Sequence, residues 1–232
     1  MKSVKFLFFL LMSSLSVAQN PLSFFQEGGG RIILEQKNEY KGNLFVYDEW
    51  NKGMLVLNDS IFSVQDYLKY DAYNDRVLVK NMKNLDEIIE IYDNSLTGFS
   101  ILDSKDNKKH DFVRLNVDKF ENRVEGKYFE IVFNTENTNY FLKRTTKILY
   151  DPSKSKGTQP INAIPLEYRD IVTYYLKNEE EVYVEVKLTK KDILAVLNKH
   201  TSVIADYIKK NKLSFIKESD IMKLVNYYYS LK

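Results

Sequence analysis

The stretch that decides the fold runs from Lys52 to Lys80 and reads KGMLVLNDSIFSVQDYLKYDAYNDRVLVK. Its apolar segments are separated by two groups of turn-forming residues, Asn58-Asp59-Ser60 and Tyr73-Asn74-Asp75. Asn, Asp and Ser side chains hydrogen-bond nearby backbone groups and favour turns, and Asn and Asp also tolerate the left-handed conformation. The pattern therefore predicts a meander of three antiparallel strands, about the smallest sheet that is stable in water.

Segments of the same character occur along most of the chain and predict about ten strands in all. Apolar or alternating residues occupy 31–34, 87–92, 97–102, 112–117, 128–133, 140–150, 171–176 and 182–188. Short polar turns separate most of them, which is typical of antiparallel sheets. We therefore predict an α+β fold, predominantly antiparallel β, in a sandwich-like or roll-like meander. The interrupted alternation within 61–71 also predicts one β-bulge.

Three charged or proline-rich segments are expected to lie at the margins of this sheet. Residues 104–110 (SKDNKKH) predict a polar, basic loop. Residues 151–165 contain three of the four prolines and predict a long loop without regular structure. The basic segment 140–150 is expected to form an edge strand, because charged side chains protect sheet edges from unwanted pairing.

The composition changes after Leu188. Thr189 is followed three residues later by Asp192, a spacing that predicts a capped helix start. A final helix is predicted by apolar residues at i, i+3, i+4 and i+7, namely Ile221, Leu224, Val225 and Tyr228. The predicted plan is a signal peptide at 1–18, a β-rich domain at 19–188 and a helical segment at 189–232 packed on the sheet.

The first 18 residues have the parts of a secretory signal peptide. Lys2 and Lys5 give a positive start, residues 6–12 are apolar, and Ser16-Val17-Ala18 is a small-residue cleavage site. The apolar run is too short to span a bilayer, and we expect no transmembrane segment after cleavage. These features predict a secreted or periplasmic protein.

Composition and charge exclude several classes of function. The chain has 232 residues, 44% hydrophobic and 28% charged, which indicates a folded globular protein. It has no cysteine, which excludes disulfides, thiolate metal sites and cysteine nucleophiles. Removing Lys2 and Lys5 from the 34 basic residues leaves 32 of them, equal to the 32 acidic residues. A neutral mature chain is not expected to bind nucleic acid.

Aromatic residues around the meander are the first candidates for ligand binding. The candidate ligand-binding residues are Tyr47, Trp50, Tyr70 and Tyr73. Large aromatic side chains stack on ligands, but they also dominate hydrophobic cores. For Trp50, the single tryptophan, we favour a core anchor beside the meander over a stacking platform.

Carboxylates in the same region are the second set of candidates: Asp48, Glu49, Asp66, Asp71 and Asp75. Paired carboxylates hydrolyse glycosides or hold calcium. Asp71 and Asp75 flank a predicted turn, however, where aspartate is a common structural choice. We favour the turn interpretation and keep a carboxylate hydrolase or a calcium-binding protein as the alternative.

The sequence contains neither the serine-hydrolase motif G-x-S-x-G nor the zinc-protease motif H-E-x-x-H. The chain has two histidines, His110 and His200, and neither belongs to a G-x-S-x-G or H-E-x-x-H motif. A zinc site would need carboxylates for most of its ligands, which is unusual. We therefore predict no catalytic residue, no metal site and no cofactor, and we expect both histidines to be surface residues.

Two segments resemble a known group of proteins. KGMLVLND followed by LKYDAYNDRVLVK, and the ending ADYIKKNKLSFIKESDIMKLVNYYYSLK, are similar to a family of uncharacterised exported proteins of Gram-negative bacteria. In that family Trp or Phe precedes Lys-Gly, and relatives often have Pro where Asn198 stands. The resemblance implies export and a similar architecture, and it implies no activity.

These observations lead to one functional expectation. We expect a non-catalytic protein of the cell envelope that binds an envelope protein or a polysaccharide through its β-sheet. The wealth of tyrosine, 17 residues, and the lack of a nucleophile–base set favour this over the hydrolase alternative.

The signal peptide is directly testable. We expect protein purified from its native envelope to begin at Gln19, because cleavage follows Ala18. N-terminal sequencing or intact mass measures this. Protein recovered from the cytosol with Met1 in place would contradict export.

Overall fold

The structure is a computed structural model that describes residues 30–33, 40–58, 60–80, 84, 87–91, 94–124, 126–135, 138–155 and 165–231. At 60–66 and 155 it describes the backbone alone. Within this part, eleven strands form a single sheet. They are β1 (Gly30–Ile33), β2 (Asn51–Leu57), β3 (Ser60–Asp71), β4 (Arg76–Lys80), β5 (Ile88–Ile91), β6 (Leu96–Leu102), β7 (Lys109–Arg114), β8 (Tyr128–Thr135), β9 (Thr138–Tyr150), β10 (Glu167–Lys177) and β11 (Tyr183–Val186).

The sheet is built from two meanders joined at β2 and β6. The strand order is β1-β5-β4-β3-β2-β6-β7-β8-β9-β10-β11. Neighbouring strands are antiparallel throughout. The predicted fold class, mostly antiparallel β with a C-terminal helical segment, is confirmed, and so is the meander of β2, β3 and β4.

The predicted bulge lies between β2 and β3. Lys52 pairs with Tyr67, but the next residue, Gly53, pairs with Val64, so two extra residues of β3 bulge out of the ladder. A Cβ on Gly53 would lie 2.3 Å from the Ser100 carbonyl oxygen of the neighbouring β6. Only glycine lets the two backbones approach this closely.

The sheet is curled. A turn and a loop form hydrogen bonds to strands that lie far apart in the strand order. The backbone N–H of Lys147 in β9 donates to the carbonyl of Ala72, in the turn between β3 and β4 (3.2 Å). The segment 40–50 runs between these two parts. It bonds to Tyr70 and Ala72 at one end and to Tyr168 of β10 at the other. The result is the roll-like arrangement that the sequence predicted.

Three hydrophobic clusters hold the roll together. The first joins β2 to β8 and includes Leu55, Phe99 and Phe112. The second joins the inner face of β9, β10 and β11 to the C-terminal helices, with Phe141 fully buried. The third lies around Phe129 and belongs to the opposite face, because side chains alternate along a strand.

Three helices follow the sheet in the described part of the chain: α1 (Lys190–Val196), α2 (Thr201–Asn211) and α3 (Glu218–Ser230). The Thr189 side chain accepts a hydrogen bond from the Asp192 N–H (3.2 Å), so the predicted helix cap is confirmed. The left-handed residues His200 and Lys212 precede and follow α2. The four residues predicted for the last helical stripe are all buried in α3.

Three expectations about single segments are wrong. His110 lies in β7, because that strand begins at Lys109. The segment 151–165 contains a 3₁₀ helix at Pro152–Ser155. β9 lies inside the sheet between β8 and β10 and is not an edge. Its charges are accommodated there because Lys143 and Lys147 pair with Glu130 and Asp170.

Residues 1–18 lie outside the described residues, so the signal peptide stays a prediction. The described helices are all too short, or too polar, to cross a bilayer.

The helical segment is expected to contribute much of the stability. Leu224 is completely buried between α3 and the sheet, so Leu224→Ala should lower the free energy of unfolding by about 2–5 kcal/mol. Val203, which is 41% exposed on α2, provides the control. Val203→Ala should change the free energy of unfolding by less than about 0.5 kcal/mol. Chemical denaturation measures both. Equal effects would show that the helices are not packed on the sheet.

Candidate functional site

The four predicted aromatic residues differ in their surroundings, although Tyr47 packs against the cluster that contains Tyr70. Tyr70 is buried in the first cluster, where its ring lies 5.5 Å from those of Phe99 and Phe112. Tyr73 is 43% exposed. Its ring meets the edge of Tyr168, which in turn contacts Tyr40 (centroids 5.3 and 5.8 Å apart). Ligand binding by these residues stays a prediction, but they do not form one platform.

Trp50 is half-buried and does not belong to the hydrophobic clusters of the described residues. The Lys69 and Lys80 ammonium groups lie 5.2 and 5.7 Å from its ring centroid. Lysine ammonium groups at this distance attract the ring through cation–π interactions. Trp50 is half-buried and lies outside those clusters, so the expectation of a core anchor is not confirmed.

Asp71 and Asp75 serve the turn between β3 and β4. Asp71 is fully buried and accepts hydrogen bonds from the backbone N–H groups of Tyr73 and Asn74 and from Arg76 Nε (2.8 Å). Asp75 has a left-handed backbone (φ 51°) and accepts from the Tyr70 hydroxyl (2.8 Å). These contacts agree with the turn interpretation of both aspartates.

A row of polar side chains crosses the inner face between the first and second clusters. Glu130 of β8 pairs in register with Lys143 of β9, and Lys143 pairs with Tyr174 of β10. The Glu130 carboxylate contacts His110 Nδ1 at 2.8 Å and Lys143 Nζ at 2.9 Å. Beyond them, the Tyr174 hydroxyl donates to Glu218 of α3 (2.5 Å). The row therefore links four strands to the last helix.

Burial and charge set the protonation of this row. Burial alone would raise the pKa of Glu130, but the hydrogen bond from His110 and the charge of Lys143 hold it below its usual value. The hydrogen bond to Glu130 raises the pKa of His110 despite burial. Burial, followed by the negative charge of Glu130, raises the pKa of Tyr47. Glu130 is therefore ionised at neutral pH, and Tyr47 is neutral.

The turn between β6 and β7 brings two more acids to His110. One ligand-type atom from each of Asp103, Asp106 and His110 lies within 4.8 Å of the others. The ring of Tyr47 lies against His110, with centroids 5.2 Å apart. The sequence pattern of residues 104–110 predicted a basic loop around His110, and the local spacing of Asp103, Asp106 and His110 was the signal that could have identified the group.

A groove lies on the other face of the same strands. Its cavity volume is about 520 Å3, and its apolar lining comes from Met54, Val56, Val113 and Ile131. Gly98 forms part of the floor. A Cβ there would lie 2.5 Å from the Phe112 carbonyl oxygen, so no side chain can fill the depression. The sequence pattern could not reveal the groove, because it depends on the register of β2, β6 and β7.

Polar groups border the apolar floor. Lys109 and Asp111 form an ion pair (2.7 Å) at the edge of the groove. Both signs of charge are thus available around an apolar centre. This is the usual composition of a recognition surface.

Comparison with protein-family models, curated proteins and solved structures finds no match to this chain. The resemblance to exported envelope proteins therefore stays a prediction.

The inner polar row makes a testable contribution to stability. Glu130→Gln removes the charge that faces His110 and Lys143, and it should lower the free energy of unfolding by about 1.5–3 kcal/mol near pH 5.5. Glu185→Gln, on an exposed strand position, is the control and should have almost no effect. Denaturation with a chelator present measures both.

The pH dependence of that difference has a defined sign. Because the pKa of Glu130 is lowered in the folded state, ionised Glu130 stabilises the fold at pH values above its usual pKa of 4.5. This stabilisation is lost as the pH falls through the pKa of the folded state. The raised pKa of His110 stabilises the fold below its usual 6.5, and this is lost as the pH rises through the folded value. The effect of Glu130→Gln should be greatest between those values, and a difference that is constant from pH 4 to 9 would contradict the coupling.

Proposed function

We propose that the chain is an exported, non-catalytic protein of the cell envelope that binds an extended segment of another envelope protein in the groove of its sheet. The groove carries this proposal. Export rests on Lys2, Lys5, the apolar run and the small residues before Gln19.

The dimensions of the groove suit a peptide. It spans β2, β6, β7 and β8, and three spacings of about 4.8 Å give a width of about 14 Å. An extended chain rises about 3.3 Å per residue, so about four residues would cross it. Alternate side chains of that segment would face the floor at Gly98 and Val113, and the others would face solvent.

The lining suits aliphatic side chains bordered by charge. Met54, Val56 and Ile131 are half-buried on central strands, so apolar surface is left facing the groove. Met is flexible and adapts to ligand side chains of different shapes. Lys109 and Asp111 would pair with charged or polar groups of the bound segment.

A polysaccharide ligand is the second candidate, and a different observation favours it. Tyr40, Tyr73 and Tyr168 form a group of edge-to-face rings near the start of β10, with Tyr73 43% exposed. Exposed aromatic rings provide faces on which sugars stack. The hydrolase or calcium-binding alternative has less support, because Asp71 and Asp75 already accept hydrogen bonds within the turn.

A peptide-display library selected against the mature chain tests the proposal. We expect enrichment of short peptides with alternating aliphatic residues. Met54→Lys places a charge in the groove and should weaken their binding at least about tenfold, because burial of one apolar side chain contributes about 1.5–3 kcal/mol. Val172→Lys, at an exposed strand position outside the groove, should leave affinity unchanged.

The outcomes separate the two ligand classes. Fluorescence polarisation with a selected peptide and binding of purified envelope polysaccharide are measured for both variants and for Tyr73→Ala. Peptide binding that is equal in wild type and Met54→Lys would overturn the groove proposal. Polysaccharide binding that is lost only in Tyr73→Ala would support the second candidate in its place.

A further inference from the structure

We propose that Asp103, Asp106 and His110 bind a divalent transition-metal ion, for which Zn²⁺ is the best match. The three side chains come from the turn between β6 and β7 and from the first residues of β7. Their ligand-type atoms lie within 4.8 Å of one another. This site faces away from the groove, because His110 and Asp111 are neighbours on a strand and point to opposite faces.

The buried carboxylate behind His110 is the observation that points to a metal. Glu130 is 7% exposed, and its carboxylate contacts His110 Nδ1 and Lys143 Nζ (2.8 and 2.9 Å). In this geometry His110 Nδ1 donates to the carboxylate, which leaves Nε2 as the ring nitrogen for a metal ion. A carboxylate that orients a histidine in this way is the common partner of metal-ligating imidazoles, and it raises their basicity.

The backbone of the turn holds one carboxylate oxygen of each aspartate in place. Asp103 Oδ1 accepts from the Lys105 N–H (2.9 Å), and Asp106 Oδ1 accepts from the Lys108 N–H (3.0 Å). Asn107, the residue after Asp106, is left-handed (φ 56°), and its N–H donates to the Asp103 carbonyl (2.8 Å). These hydrogen bonds therefore define the conformation of the turn.

The neighbouring lysines are compatible with a cation for two reasons. Lys105 and Lys109 are paired with Asp48 and Asp111, outside the group (2.6 and 2.7 Å). Lys108 alone pairs with a proposed ligand, Asp106, at 3.2 Å, and its side chain is 72% exposed. Its ammonium group can return to solvent at little cost, since exposed ion pairs contribute about 0–1 kcal/mol.

The donor set decides the class of metal. One imidazole with two carboxylates and no thiolate suits Zn²⁺ and similar first-row ions better than Ca²⁺, which prefers six to eight oxygens. Zinc ligands bond at about 2.0–2.2 Å, so tetrahedral neighbours lie about 3.4 Å apart. The three ligand-type atoms, which lie within 4.8 Å of one another, would draw together around the ion, and water would fill the remaining position.

Isothermal titration of the tag-free mature chain with ZnCl₂ and CaCl₂ tests the site. We expect one Zn²⁺ per chain and no Ca²⁺. Matched pairs of variants locate it. His110→Asn and Asp106→Asn should each reduce Zn²⁺ affinity at least about tenfold, whereas His200→Asn and the exposed Asp118→Asn should leave it unchanged.

Two further variants distinguish a metal site from a merely structural cluster. Glu130→Gln should weaken Zn²⁺ binding about 10–100-fold through the orientation of His110. Lys108→Ala should strengthen it, because the competing ammonium group is removed from Asp106. Co²⁺ in place of Zn²⁺ should give visible absorption bands that disappear in His110→Asn.

The opposite results would overturn the proposal. These are the absence of Zn²⁺ binding by folded wild-type protein, Zn²⁺ affinity that is equal in His110→Asn and His200→Asn, or binding of Ca²⁺ in preference to Zn²⁺. Circular dichroism confirms that each variant is folded, and Asp106→Asn, at an exposed turn position, keeps the test decisive if His110→Asn unfolds. Peptide binding in the groove is independent of all these outcomes.

Discussion

The structure depends on the contact that curls the sheet. The carbonyl of Ala72 accepts a hydrogen bond from the Lys147 N–H, and Asp75 accepts one from the Lys127 N–H (3.2 and 2.6 Å). Both join the turn after β3 to β9 or to the segment before β8. Asp71 makes the turn rigid, because its buried carboxylate is held by two backbone N–H groups and Arg76. An antiparallel meander without this closure would leave its inner apolar face open to water.

The curl of the sheet places the row of polar side chains between the first and second hydrophobic clusters. Glu130 and Lys143 lie on the inner face with hydrophobic residues on either side, so their charges must be paired. His110 and Glu218 extend the pairing to β7 and to α3 (2.8 and 3.7 Å). Because a half-satisfied polar network is more costly than an apolar core, the row also fixes the register of the strands and the position of the last helix.

The two faces of the central strands have separate roles in our proposals. Side chains alternate along β7, so His110 and Phe112 face inward while Asp111 and Val113 line the groove. The inner face combines a histidine, carboxylates and an ordered turn, which is chemistry suited to a cation. The outer face combines aliphatic side chains and a glycine floor, which suits an extended peptide. β7 thus contributes residues to the groove and to the proposed metal site, and neither site requires the other.

The sequence by itself determined the elements and their local ends. Strand alternation, the turn residues before Arg76 and the Thr189 cap depend on neighbours a few residues apart, and all are found in the structure. Tertiary structure alone decided that β9 is central, that Trp50 lies beneath two lysines, and that Glu130 meets His110. The physical reason is that periodicity reports which face of an element is apolar, whereas strand order and curl depend on pairing between residues far apart in sequence. The groove and the contact of Glu130 with His110 both arise from that pairing, so no local pattern could predict them.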